Sequence, residues 1–339
     1  LTAGWLMAGC SAEDELGNNS SAQQLNMIPM VNDLQKSRAN DEDALHEKTL
    51  SKLDFKMFEP EFGKCCVNHQ SPSPAENQAE VLGKNNWKVD LNLQEDHSYN
   101  YYAVANAQAD LSKKTLKELK TTQQDKDIWL PYPQAKDKKF LMSAKGQYII
   151  SKDPIQDIPV ELVRAAAKIK LNLSSSVNGY NITNVKWKFL NYNTNTSVFA
   201  GQTAKPNIES NNEDNTVDKI EANKCSVTTY SYSTTWTSQE DAPKIAVKVV
   251  FQSKDNKNDT REKELTIPVR DPKGEKKLER NYIYTVNADI KRLKDDINID
   301  YDEELGYLKW AITKWTTGED TEVDADKASY LVVYPTTLD

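Results

Sequence analysis

Short runs in which apolar and polar residues alternate recur along the whole chain of 339 residues. Residues 53–57 place Leu, Phe and Met at every second position, and residues 169–173, 245–251 and 282–286 repeat the pattern. Successive side chains of a strand point to opposite faces, so this period of two is typical of strands with one buried face. Many of the residues are β-branched or aromatic, which favours strands. The pattern predicts an all-β protein.

The chain is long for a single core, which predicts two domains. Pro154 and Pro159 interrupt the pattern, so we place the boundary near residues 158–163. The predicted parts are a leader and tether at 1–23 and consecutive β-sandwich domains at 24–160 and 161–339. A strand-bearing tail begins at about residue 305. One short helix is predicted near residues 112–120, where leucines recur at helical spacing.

The first predicted strand covers residues 24–31 and has apolar residues on both faces. They are Leu25, Met27, Ile28, Met30 and Val31. Pro29 lacks a backbone donor, which predicts a position at a sheet edge. A polar run follows and contains Arg38, the first arginine of the chain. Two interpretations stay open: an ordinary strand followed by a surface loop, or a strand that proteolysis within this run detaches.

Cys10 ends an apolar N-terminal segment, where it follows Met7, Ala8 and Gly9. This order resembles a bacterial lipobox, in which the thiol receives diacylglycerol, although Leu is more usual where Met7 stands. The segment reads as the end of a signal sequence, and the alternative is a plain cysteine. Three further cysteines, Cys65, Cys66 and Cys225, lack metal-site spacing, and we interpret them as small core residues.

Sequence signals of an enzyme are weak. The three histidines have no metal-binding companions at the usual spacing, and there is no phosphate-binding glycine loop or nucleophile motif. The net charge of -8 gives no general attraction to nucleic acid. Tryptophans such as Trp87, Trp187 and Trp236 could line a glycan platform, but within alternating strands they are more typical of a core. We predict no enzyme activity, no cofactor, no metal and no nucleic-acid partner.

The order of these features resembles the fimbrillins, the type V pilin subunits of some Gram-negative bacteria. The landmarks are the lipobox at Cys10, an apolar strand followed by Arg38, the strand at 53–58, the segments 104–107 and 114–119, the segment 163–169, the run 278–284 and a late strand ending at Trp315.

This resemblance implies two transthyretin-like domains and a specific assembly route. In the family the precursor is an outer-membrane lipoprotein, attached here through Cys10. An arginine-specific protease would cut between Arg38 and Ala39, and the first strand would leave. A C-terminal strand of another pilin subunit would fill its place and build an extracellular fimbrium. The corresponding donor strand here is Tyr330, Leu331, Val332, Val333 and Tyr334.

Two alternatives remain at this point. An anchor or tip subunit of the same family would keep its lipid or donate no strand. A surface glycan-binding lipoprotein would keep its first strand and use exposed aromatic residues.

Overall fold

The computed structural model describes residues 23–31, 47, 50–61, 63–71, 87–91, 93–125, 139–153, 155–202, 204–270, 274–293 and 305–314. Strands β1 to β8 are Gln23–Val31, Leu53–Phe58, Cys65–Ser71, Trp87–Leu91, Ser98–Ala105, Gln123–Asp125, Met142–Ile149 and Ile155–Arg164. Strands β9 to β21 are Ala166–Ser175, Tyr180–Leu190, Tyr192–Asn193, Asn195–Ser197, Ile208–Glu209, Asn215–Thr216, Lys224–Tyr232, Thr234–Thr235, Lys244–Ser253, Thr260–Pro268, Lys277–Leu278, Tyr282–Ile290 and Leu305–Lys314. Helix α1 is Leu116–Thr121. The prediction of an all-β sandwich protein is confirmed.

Seven strands of the first half form one sheet in the order β3-β2-β5-β7-β8-β1-β4. β7 and β8 pair only at Met142–Arg164 and Ser143–Val163, after which they separate. The sheet is therefore continuous only through this short junction. Strands β3, β2, β5 and β7 lie on one side of it, and β8, β1 and β4 lie on the other.

The second half contains a six-stranded sheet, β13-β11-β15-β9-β20-β21, and a four-stranded sheet, β14-β10-β17-β18. The alternation seen in the sequence is the alternation of burial, since β17 buries every second residue. These residues are Ile245, Val247, Val249 and Phe251. Trp187 of β10 pairs with Val247 and is buried, as is Trp236, so these tryptophans belong to the core, as predicted.

The two halves touch through a short shared ladder. β6 of the first half pairs with β12 of the second, and Ser143 donates a hydrogen bond to the Val198 carbonyl at 2.8 Å. The ring of Tyr102 meets Phe199 edge-on, with centroids 5.4 Å apart. The predicted boundary at 158–163 lies inside β8, and the division into two domains stays a prediction.

Arg280 supports this ladder from the second half. It donates hydrogen bonds to Thr196 Oγ1 at 2.9 Å and to the Ser197 carbonyl at 2.8 Å, both in β12. Burial lowers the pKa of Arg280 to about 10, so the guanidinium stays charged at neutral pH. A partly buried cation that donates to carbonyl and hydroxyl oxygens fixes their positions, which holds β12 against β6.

Helix α1 is shorter than predicted but well capped. Thr115 and Glu118 form a reciprocal capping box, and Leu119 packs into the core. Just before the helix, the buried Lys56 of β2 donates to the carbonyls of Ser112 and Lys114 at 2.9 and 3.2 Å. Those bonds satisfy the buried ammonium and attach the segment to the sheet.

Three local predictions were wrong. The passage through Pro159, interpreted as punctuation between domains, is part of β8. Cys65 is exposed on the outer strand β3, where a bulge opposite Phe58 interrupts the pairing, and Cys66 is half-buried. Only Cys225 is buried as expected, and burial raises the pKa of its thiol to about 11. These three cysteines are free thiols.

Gly146 gives a test of the packing of β7. It pairs with Tyr101 of β5, and a Cβ added at this glycine would lie 2.7 Å from the tyrosine ring. We expect Gly146→Ala to lower the free energy of unfolding by about 1–3 kcal/mol, because the ring must move. Urea denaturation of Gly146→Ala, Tyr101→Leu and the double variant measures the coupling. Strictly additive losses would show that the ring is not the obstacle.

Candidate strand-exchange site

Strand β1 lies between two strands that are distant from it in sequence. It runs parallel to β8 from Gln24 to Val31 and antiparallel to β4 from Gln23 to Met27. The predicted strand therefore exists with nearly the predicted bounds. The prediction that it lies at a sheet edge was wrong, because β4 forms the outer position in this part of the sheet.

Pro29 lies in the part of β1 that pairs with only one of the described strands. The pairing with β4 ends at Met27, so residues 28–31 of β1 have β8 as their one paired neighbour among the strands that the structure describes. A proline is tolerated where no second strand needs its missing N–H. Pro29 thus stands just past the doubly paired part of β1.

β8 supplies an alternating surface beneath β1. Ile158, Val160 and Leu162 are buried, whereas Asp157 before them and Pro159 and Glu161 between them are exposed. Met27 pairs with Ile158 and is itself fully buried. Fully burying a side chain of this size contributes about 1.5–3 kcal/mol. The place of Met27 is therefore an apolar site within the core.

The register gives the backbone positions of the other predicted strand residues. Leu25, Pro29 and Val31 stand opposite Gln156, Val160 and Leu162 of β8. Ile28 and Met30 stand opposite Pro159 and Glu161. The side chains of these five residues of β1 lie outside the described ones.

Loss of β1 would leave two strands without their main partner. β4 has ladder pairing only with β1 in the described part of the sheet, and β8 has, besides β1, the two-residue junction with β7. Backbone N–H and C=O groups on both strands would then need new partners, since unpaired buried groups are costly. A groove one strand wide with apolar residues along it is a site for strand addition.

Glu47 anchors the chain nine residues after Arg38. Its side chain is fully buried and accepts hydrogen bonds from Lys168 Nζ at 2.9 Å and from the Tyr230 hydroxyl. Its backbone carbonyl accepts from Arg164 Nε at 2.8 Å. All three partners are buried.

This buried cluster joins three parts of the chain. Arg164 ends β8, Lys168 lies in β9, and Tyr230 of β15 pairs with Lys168. The ring of Phe140 packs edge-on against Tyr230 at 4.8 Å. Glu47 is therefore attached to both halves through these three partners. No sequence pattern marked Glu47, since a lone acidic residue has no local signal of burial.

The predicted processing and donor residues are not in the described parts of the chain. Cys10, Arg38 and Ala39 lie outside them, as does the predicted donor strand Tyr330, Leu331, Val332, Val333 and Tyr334. The strand before that tail, β21, pairs along its length with β20. It is one of the two outer strands of the six-stranded sheet.

Other kinds of site are not apparent in the described ranges. No group of three or more His, Cys, Asp or Glu residues there could hold a metal ion. A cleft of about 620 Å³ lies beside Lys224–Thr228 at the start of β15, and Trp187 in its wall is almost fully buried. That burial leaves no aromatic face for stacking a sugar. The described part also contains no helix that is long and apolar enough to cross a membrane.

Comparison with known proteins places this fold. No family model matches the chain, and no curated protein matches it. Solved structures do match. A fimbrilin (FimA) from Porphyromonas gingivalis is 12% identical, with a TM-score of 0.59 over 88% of this chain and 99% of that one. A candidate cell adhesion protein from Parabacteroides distasonis is 16% identical, with a TM-score of 0.59 over 87% and 97%.

The tip fimbrial protein Mfa3 from Porphyromonas gingivalis, truncated at its C-terminus, is 15% identical. Its TM-score is 0.53, over 86% of this chain and 99% of that one. At such low identities these likenesses show a shared fold. The resemblance to fimbrillins is confirmed at that level.

The buried contact between Glu47 and Lys168 can be tested by substitution. Lys168→Met removes the cation while the carboxylate stays buried, so we expect a loss of about 3–5 kcal/mol in the free energy of unfolding. The matched control is Lys219→Met, which breaks the exposed ion pair with Glu221 and should leave stability nearly unchanged. Chemical denaturation measures both. Equal small losses would show that Glu47 does not depend on Lys168.

Proposed function

We propose that this chain is a structural subunit of a fimbrium that polymerises by exchange of its first strand. The observation that carries the proposal is the position of β1, whose pairing joins β8 to β4 and which buries Met27 in the core. A removable strand in this position leaves a groove that an extended segment of another subunit can fill. The fimbrial fold supports the same role.

Filament growth follows from the geometry of such an exchange. The predicted donor lies at the C-terminus of one subunit and the groove lies in the first half of the next. A head-to-tail contact of this kind does not close on itself, so it builds an open filament. The 15 residues between β21 and Tyr330 supply the reach.

The proposed processing uses both ends of the N-terminal region. Cys10 carries the lipid that holds the precursor at the outer membrane, and an arginine-specific protease cuts after Arg38. The mature chain then begins at Ala39 and keeps Glu47. Because Glu47 is held by Arg164, Lys168 and Tyr230, the new N-terminal segment would stay attached when β1 leaves.

The combination of a cleavable Arg38 and a strand-bearing tail favours a shaft subunit. An anchor would keep its lipid and β1, and a tip would not need the donor strand. Adhesion is then a property of the assembled filament, which presents many copies of the subunit at once.

Assembly should fail for two different reasons in two variants. In Arg38→Ala the native β1 stays covalently joined and competes at high effective concentration, so we expect folded monomers. Deletion of residues 329–339 leaves the groove open with no donor, so we expect monomers that aggregate more readily. Electron microscopy and gel ladders of heat-resistant oligomers measure both. Normal filaments from the tail-less chain alone would contradict the assignment of residues 330–334 as the donor.

N-terminal sequencing of the surface protein serves as the control for processing. A mature chain that starts at Ala39 supports the shaft subunit. A chain that starts at acylated Cys10 would instead indicate an anchor or a glycan-binding lipoprotein. Cleaved tail-less subunits added to intact cleaved ones should also shorten filaments in proportion to the amount added.

Lipidation should depend on the thiol of Cys10. We expect Cys10→Ser to block lipidation and to leave the precursor short of the outer membrane, because a hydroxyl does not replace the thiolate that accepts the diacylglyceryl group. Labelling with a fatty acid and membrane fractionation measure the change. Incorporation equal to that of the parent protein would show that Cys10 is not the lipid site.

A further inference from the structure

The backbone register of β1 constrains any strand that replaces it. Between Gln23 and Met27 the replacement lies between β4 and β8, and beyond Met27 it pairs with β8. A proline is therefore acceptable at the place of Pro29 but not at the place of Met27. The side chain at the place of Met27 must be apolar and no larger than the fully buried methionine.

The C-terminal segment repeats the order of these requirements. β1 contains Leu25, Met27 and Pro29 at every second position, and the tail contains Leu331, Val333 and Pro335 at the same spacing. Along one face of an extended chain, both segments therefore carry a leucine, then an apolar residue no larger than methionine, and then a proline.

We infer that residues 331–335 of a second copy of this chain replace residues 25–29 in register, parallel to β8. This inference rests on the proposed function and specifies the partner segment. Val333 then takes the place of Met27 opposite Ile158, and Pro335 takes the place of Pro29 opposite Val160. Val332 takes the place of Asn26 opposite Asp157, which is exposed.

Neighbouring registers fit less well. A shift of two residues that brings Pro335 to the place of Met27 puts a proline between two strands. The opposite shift of two residues brings the polar Ser329 to the place of the apolar Leu25. A shift of one residue exchanges the faces, and brings either Tyr334 or Val332 to the place of Met27. Tyr334 exceeds the methionine in size, and Val332 brings tyrosines to the places of Leu25 and Pro29.

Two valine variants test which face of the tail is buried. Val333→Thr puts a hydroxyl into the apolar place of Met27, so we expect assembly to weaken by about tenfold or more. Val332→Thr is the matched control, because its place pairs with the exposed Asp157, and we expect filaments like those of the parent. Assembly of Arg38-cleaved subunits, followed by light scattering and electron microscopy, measures both. The reverse order of effects would show that the true register is shifted by an odd number of residues, and would overturn the inference.

Cysteine pairs test shifts by two residues. Paired residues of adjacent strands have Cα atoms about 5 Å apart, which a disulfide can span. We expect filaments of Asp157→Cys with Val332→Cys to become covalent ladders on oxidation. Filaments of Pro159→Cys with Val332→Cys, and of Ile155→Cys with Val332→Cys, should not. Each single variant controls for the exposed Cys65.

The outcomes separate the register from the function. Ladders from the pair at 159 or 155 instead of 157 would overturn the register while leaving strand exchange intact. The inference would also be overturned if all three cysteine-pair variants formed filaments like the parent chain and none of them crosslinked on oxidation. Failure of cleaved parent subunits to polymerise would overturn the proposed function itself.

Discussion

The pairing of β1 with β8 and β4 is the interaction on which the first half of the molecule depends. Without it, β8 keeps only its two-residue junction with β7, and β4 has no other strand pairing in the described sheet. One segment thus satisfies backbone groups on two strands and fills the apolar place at Met27. The strand β1 therefore completes the pairing of this half of the fold.

The junction between the halves is built differently, from polar groups that are buried or partly buried. Glu47 with Lys168 and Tyr230 forms one cluster, and Arg280 with the oxygens of β12 forms another. Such groups require defined partners, because an unpaired buried charge is costly. Hydrophobic contacts alone would tolerate sliding between the halves, whereas these hydrogen bonds specify one arrangement.

The local sequence predicted those strands whose apolar residues alternate with polar ones. Alternation located β2, β9, β17 and β20, because the recurring apolar residues of each pack in the core. It missed β8, where Pro154 and Pro159 suggested an interruption, although one neighbouring strand is enough to hold Pro159 in the ladder. It also missed β3, an outer strand whose exposed Cys65 breaks the pattern.

At the candidate site, too, the sequence predicted the local strand but not its distant partners. The existence of β1 followed from its own residues, but its place beside β4 did not, since β4 lies more than 50 residues further along the chain. Glu47 could not be found at all, because its burial depends on Lys168 and Tyr230 in the other half. Pairings between distant segments are set by the whole fold and leave no local pattern.

Cleavage after Arg38 would give the proposed exchange a direction. While β1 is covalently joined, it competes with an incoming strand at high effective concentration, so the uncut precursor stays closed. Once cut, β1 is a short peptide whose rebinding depends on its own dilute concentration. The donor tail remains tethered to a folded subunit, and Glu47 keeps the cut end attached to the acceptor. Cleavage therefore ends the intramolecular advantage of β1, and the donor tail of another subunit can then compete with the released β1 for the groove.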